Sequence, residues 1–417
     1  MRTQASALRR VAGLGLLALL PLAHAGYFQW DMVELPADSG AACGNGTPYR
    51  FFVNRTPLSK DVVIMFEGGG ACWDQNACLG IGALGATNPN GIPPDYMHQL
   101  NSAFGGLVTP FSSRLDPAQA VQTQSWNIVY MPYCTGDVHT GNKVVVYDDA
   151  DPANPRVQYH RGQINVQEAA RWLRKNLGQP GKMLLTGFSA GGVGATATYA
   201  MVRDTLQPTG NATLLADSGP LMPAPRNGDP AQYPSLPMHN KIRSAWGLDE
   251  PGGLISQYAT LAGFDPNNLG TVSRALAQTY PQDRFGYMLF EADQVFSAFS
   301  YTDFWPDVQN APDKQALRKA LLGHWTPDIN QWMAELSQYA NVSYHVPFER
   351  NFDGSHCLTI VDFSGTGIEE IGLDSVAPFV DANLDRGPIM RNTEQDHVSD
   401  LFRPLSWAIR LAKLLGF

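Results

Sequence analysis

The stretch Lys182-Met-Leu-Leu-Thr-Gly-Phe-Ser-Ala-Gly-Gly-Val-Gly194 constrains this chain more than any other. A short apolar run ends in Gly187-x-Ser189-x-Gly191, and small residues on both sides of a serine suit a tight strand-to-helix turn that leaves the hydroxyl exposed. That is how a hydrolase presents a nucleophile. A five-residue pattern also recurs by chance, so the rest of the chain must supply a base, an acid and an oxyanion hole.

The elements around this turn predict the fold. Val62-Val-Ile-Met-Phe66 is a continuous apolar run, as expected of a strand buried on both faces. Trp126 to Met131 reads as a strand stopped by Pro132. Apolar residues at 166, 169, 170, 173 and 177 give a helical stripe closed by Gly178 and Pro180. Strand Met183 to Thr186, a helix from Ala190 to about Val202, and strand Thr213 to Ala216 follow. This alternation predicts an α/β chain with a mainly parallel sheet covered by helices on both faces. Tyr27 to Leu35 and Tyr49 to Val53 read as early strands, and residues 80 to 120 as an irregular excursion. Residues 220 to 282 lose the strand pattern and become rich in Pro, Gly and Asn, which predicts a cap or lid inserted after a strand. Phe285 to Phe290 and Val342 to Val346 return to strand character, the second read as the last strand, and a terminal helix is expected over 398 to 415.

The N-terminus carries Arg2, Arg9 and Arg10, an apolar run from Val11 to Leu22, and Ala23-His-Ala25. Such a pattern predicts a secretory signal peptide over residues 1 to 25, too short to span a bilayer, and leaves 26 to 417 as one domain. No later stretch has the ~20 continuous apolar residues of a membrane-spanning helix. Removing the three arginines would take the formal charge from −9 to −12. A surface of that sign repels polyanions, which argues against nucleic acid and does not favour a strongly anionic polysaccharide. Five cysteines in an exported chain predict disulfides with at least one cysteine free or paired outside the chain, and no C-x-x-C or H-E-x-x-H spacing supports zinc.

A serine nucleophile needs a base, an acid to orient it, and donors for the oxyanion. Hydrolases of the α/β class carry these in the chain order serine, acid, histidine. Ser189, Asp293 and His356 have that order, each after a strand. Of nine histidines, His139 and His397 are the rivals of His356. Glu291 follows the same strand as Asp293 and ranks second as the acid. Asp217, in Asp-Ser-Gly219, ranks third and would serve equally as a turn former. Gly68, Gly69 and Gly70 follow a buried strand and lack side chains, so their N–H groups, with that of Ala190, are the expected oxyanion donors.

Four segments together resemble the pectin acetylesterase and Notum carboxylesterase family: Phe66-Glu-Gly-Gly-Gly-Ala-Cys72-Trp with Cys78, Met131-Pro-Tyr-Cys-Thr-Gly-Asp-Val-His-Thr-Gly141, Gly187-Phe-Ser-Ala-Gly-Gly-Val-Gly194 and Leu215-Ala-Asp-Ser-Gly219. The resemblance implies an α/β-hydrolase fold and ester hydrolysis without metal or other cofactor through Ser189, Asp293 and His356, with donors on Gly69, Gly70 and Ala190. It also implies disulfides Cys72 with Cys78 and Cys43 with Cys134, leaving Cys357 unpaired. Two positions depart from the family. Some members place a glutamine three residues after the acid, where this chain has Phe296, while Gln294 stands three after Glu291. The tryptophan that Notum carries near its oxyanion hole is Gly70 here. The expected function is a secreted or periplasmic serine esterase acting on O-acetyl esters of a polysaccharide. The alternatives are a polyester depolymerase, for which Trp246, Phe304 and Trp305 could line a surface, and a non-catalytic carbohydrate-binding protein.

Overall fold

The computed structural model describes residues 27–394 apart from 83, 104–107, 115–119 and 351–353. The expected signal peptide, the terminal helix over 398 to 415 and His397 lie outside the described residues.

The apolar runs assemble into one nine-stranded sheet of order β1-β2-β4-β3-β7-β8-β9-β10-β13. Its members are β1 (Trp30–Glu34), β2 (Arg50–Asn54), β3 (Val62–Phe66), β4 (Asn127–Met131), β7 (Met183–Phe188), β8 (Ala212–Asp217), β9 (Arg284–Met288), β10 (Val342–Val346) and β13 (Arg391–Thr393). The pairs β1/β2 and β2/β4 are antiparallel, and every pair from β4 to β13 is parallel. Strand side chains alternate between faces, and the two faces are packed separately. Ile64, Leu185 and Leu214 point into one core with helices α1 (Gly162–Asn176), α2 (Ala190–Leu206) and α7 (Lys314–Leu336). Val63, Leu184 and Leu215 point into the other, with Phe363 and helix α8 (Ala377–Leu384). Burial on both faces is why these strands read as unbroken apolar runs.

Two expectations need correction. Val342–Val346 is not the last strand: a small pair, β11 (Ser364–Ile368) and β12 (Leu373–Ser375), follows, and β13 then joins β10 at the sheet edge. Residues 143–160, for which the sequence pattern predicts no element, form an antiparallel ribbon of β5 (Lys143–Tyr147) and β6 (Arg156–His160). Val144, Val146 and Val157 of that ribbon face solvent, so its apolar residues do not mark a core.

Between β8 and β9 the chain forms helices α3 (Leu236–Ala245), α4 (Leu254–Tyr258) and α5 (Val272–Thr279), joined by turns. Ile242, Trp246 and Tyr258 pack this segment onto the main core. Helix α6 (Gln294–Tyr301) follows β9. The Cys43–Cys134 disulfide ties the segment before β2 to the end of β4, and Cys72–Cys78 closes the loop after the glycines. Cys357 is a buried thiol. Among the described residues no helix is long and apolar enough to cross a membrane.

Candidate active site

Strand β7 delivers Ser189 to a turn whose backbone is set at φ 56° and ψ −125°, and α2 begins at the next residue. A side chain at positive φ is strained, and the strain is held by sterics on both sides. A Cβ at Gly191 would collide with the Phe66 carbonyl, and one at Gly187 with the Gly191 carbonyl. The Ser189 N–H donates to the Asp217 carbonyl at 2.8 Å, while its own carbonyl accepts from Gly192 and Val193. The hydroxyl is thereby held at the positive end of a 17-residue helix.

Asp293 caps α6: its Oδ1 accepts from the N–H groups of Val295 and Phe296 at 3.0 and 2.8 Å. Its Oδ2 accepts from His356 Nδ1 at 2.7 Å, and the carboxylate is fully buried. Burial alone would lower the imidazole's pKa, but the adjoining Asp293 charge and hydrogen bond, together with the neighbouring Cys357 side chain, hold it well above the ordinary value. Nε2, on the far side of the ring, is sealed from solvent and has no hydrogen-bond partner among the described residues. No hydrogen bond joins it to Ser189; such contacts commonly tighten in the complex with substrate.

The histidine loop is anchored by Asp217 and Ser218. Asp217 Oδ2 accepts from the Thr359 N–H and hydroxyl, both at 2.7 Å, and Oδ1 accepts from the Leu358 N–H at 3.0 Å. The Ser218 hydroxyl accepts from the Cys357 N–H at 3.0 Å. One residue thus holds Ser189 by its backbone and the His356 loop by its side chain. Gln294 N–H adds a bond from α6 to the Gly354 carbonyl, two residues before the histidine.

Asp293, not Glu291, meets the imidazole. Strand alternation could not separate them, because β9 ends at Met288 and residues 289–293 are no longer strand. Glu291 is held by its backbone, its N–H donating to Pro347 and its carbonyl accepting from Trp325. Asp217 is a loop anchor and does not touch the ring. His139 is buried elsewhere, stacked on Phe66 and packed against Tyr133. Burial lowers its pKa to about 4. Its Nε2 lies 2.9 Å from the Glu67 carbonyl, which only accepts, so Nε2 carries the proton.

That carbonyl belongs to the residue before the glycines. Glu67 receives Tyr96 and Tyr130 hydroxyls at 2.7 and 3.0 Å and the Tyr133 N–H at 2.8 Å. Burial raises its pKa to about 7, against the lowering effect of these donors. The base of the glycine turn is therefore pinned from three sides. A Cβ at Gly68 would lie 2.9 Å from Ser189 Cβ, which places the turn directly against the nucleophile. The N–H groups of Gly69, Gly70 and Ala190 have no acceptor among the described residues. A Cβ at Gly70 would meet the Gly85 carbonyl at 2.7 Å and the Phe299 ring at 2.8 Å, so no larger residue fits there.

A pocket of about 60 Å³ opens beside Ser189, Gly70 and Ala190, with Trp73, Phe296, Phe299, Ile242 and Trp246 among its walls. Trp246 is a pocket wall whose indole N–H donates to the Cys72 carbonyl. The other two aromatics expected to line a binding surface are half-buried, Phe304 against Trp73 and Trp305 on His324 with centroids 4.1 Å apart.

The profile of a family described as Pectinacetylesterase matches residues 23–236, just over half of the chain. The chain belongs to this family. The match includes Ser189 and the glycine turn but ends before Asp293 and His356. Palmitoleoyl-protein carboxylesterase notum2 of Xenopus laevis is 28% identical over 185 residues, covering 42% of this chain and 34% of that protein. Palmitoleoyl-protein carboxylesterase NOTUM of Homo sapiens is 25% identical over 196 residues, covering 45% and 36%. Pectin acetylesterase 4 of Arabidopsis thaliana is 26% identical over 200 residues, covering 45% and 44%. The chain therefore spans about a third of the length of the Notum relatives it matches. A solved structure of the Wnt deacylase Notum from Drosophila superposes with a TM-score of 0.55 at 17% identity, covering 89% of this chain and 98% of that one. The two share the α/β-hydrolase fold.

Proposed function

We propose that this protein is a serine esterase that removes short acyl groups, O-acetyl groups of a polysaccharide foremost. The observation that carries the reading is the strained Ser189 turn facing a small apolar pocket. Ser189 Oγ attacks the ester carbonyl while His356 Nε2 takes its proton and then returns it to the departing alcohol. Asp293 fixes the Nδ1–H tautomer and stabilises the imidazolium. The N–H groups of Gly69, Gly70 and Ala190 receive the oxyanion, and water releases the acid by the reverse sequence.

Pocket size supports the short-acyl assignment. An engineered cavity of ~150 Å³ holds a benzene ring, so 60 Å³ has room for a group of about two or three heavy atoms. Export is part of the proposal: the basic and apolar N-terminus with cleavage after Ala25 agrees with two disulfides, which persist in oxidising compartments. The test is acetate release from an acetylated polysaccharide together with turnover of chain-length-graded 4-nitrophenyl esters. Acetate should exceed octanoate in kcat/KM by at least a hundredfold, and equal turnover of the two would overturn the short-acyl assignment.

A further inference from the structure

The pocket beside Ser189 is lined by a titratable side chain that the hydrolytic mechanism does not use. His239 of helix α3 lines it and is only 3% exposed. Its Nδ1 is buried and has no hydrogen-bond partner among the described residues. The ring is held neutral, its pKa lowered to about 4 by burial and by the neighbouring Arg243 cation. Arg243 is itself fixed to Asp249 at 2.7 Å, so it does not turn toward the imidazole.

A neutral imidazole offers one donor and one acceptor. Set among Met238, Ile242, Trp246 and Phe296 it is a polar point on a mainly apolar wall, and the Ser300 hydroxyl, which also lines the pocket, is already engaged in donating to the Phe296 carbonyl; such isolated polar groups are how small-molecule sites fix orientation and discriminate. A plain acyl group entering here strips away water and leaves the imidazole unpaired, which is costly. A hydroxyl both donates and accepts, so it satisfies the ring in either tautomer. A pocket too small for a benzene ring is also too small for a sugar ring, so the entering group is the acyl part of the ester.

Resting on the esterase reading, we propose that His239 is a specificity residue that hydrogen-bonds a hydroxyl on a short acyl group, extending the acetyl-sized site to esters of small hydroxy acids and favouring them over deoxy esters of the same chain length. No new chemical step is required. The preference arises from a hydrogen bond present with a hydroxyacyl ester and absent with its deoxy counterpart.

Ethyl lactate and ethyl propionate, which differ by one hydroxyl, provide the test, with hydrolysis followed by pH-stat in the wild-type protein, His239→Phe and His239→Gln. The lactate ester is intrinsically more reactive, so the quantity to compare is the lactate-to-propionate ratio of kcat/KM across variants, where that difference cancels. The ratio should fall tenfold or more in His239→Phe and be at least partly restored in His239→Gln, which keeps a donor and an acceptor. A ratio within twofold of wild type in both variants would overturn the proposal and leave His239 as packing. Should one variant fold poorly, the ratio within the other still decides, because loss of active protein scales both esters alike. Wild-type protein that hydrolyses 4-nitrophenyl acetate but neither ethyl ester would overturn this proposal alone, whereas no turnover of any of the three would defeat the esterase reading itself.

Discussion

Replacing Asp293 with asparagine separates the two duties its carboxylate performs. Oδ1 caps helix α6 through two N–H groups, and Oδ2 accepts the His356 Nδ1–H at 2.7 Å. An amide has only one oxygen. If that oxygen keeps the cap, the NH2 group faces Nδ1, which must then present its lone pair, and the ring proton moves to Nε2. Nε2 can no longer accept the serine proton. A comparable change of tautomer in serine proteases costs about 10⁴ in kcat, or roughly 5 kcal/mol of barrier at ~1.4 kcal/mol per tenfold. Stability should change far less, because the cap survives and the lost charge at the helix start is worth about 0.3–1 kcal/mol. The pH profile adds an independent sign. Asp293 favours protonated His356 and raises its pKa, so the acid limb of kcat/KM in the wild type lies above the ordinary imidazole range. Without the carboxylate charge, burial dominates, and the residual activity's acid limb should move to lower pH. The assay is 4-nitrophenyl acetate turnover from pH 5 to 10 for Asp293→Asn beside Glu291→Gln. A larger loss from the glutamate change, or an acid limb that moves upward in Asp293→Asn, would refute the reasoning.

Two further outcomes follow from the scaffold. Asp217→Asn places an NH2 group or a single oxygen where Oδ1 and Oδ2 now take three backbone and hydroxyl donors from Leu358 and Thr359. The His356 loop should loosen, lowering kcat ten- to a hundredfold with KM nearly unchanged, and steady-state kinetics showing a pure KM effect would contradict this. Glu67→Leu strands the Tyr96 and Tyr130 hydroxyls and the Tyr133 N–H, at about 1–3 kcal/mol for each buried unpaired group. Urea unfolding should show that loss, with Glu67→Gln clearly milder because it keeps an acceptor.

The central sheet was legible because strands buried on both faces have no alternative to continuous apolar sequence: Val62–Phe66 and Val342–Val346 coincide with the observed strands. Elements whose pattern is short or interrupted were missed. Helices α3, α4 and α5 are ten, five and eight residues long within Pro- and Gly-rich sequence, so little periodicity accumulates. Helix α7 did carry a signal: Leu321, Trp325, Ile329, Trp332 and Leu336 form a buried stripe at helical spacing, masked by Pro327 inside it. At the site, chain order pointed to His356 and Asp293, but no pattern could choose Asp293 over Glu291, since the choice depends on where β9 ends. The anchoring roles of Glu67 and Asp217 depend on partners far away in sequence, and His239 lies in a segment read only as a cap.

The most direct test of the account is covalent. Incubating the purified protein with a fluorophosphonate and locating the adduct by peptide mass spectrometry reports which hydroxyl is activated. The account predicts stoichiometric phosphonylation of Ser189 alone, with parallel loss of 4-nitrophenyl acetate turnover and no labelling of Ser189→Ala. An adduct on another residue, or turnover that persists after Ser189 is fully labelled, would contradict it.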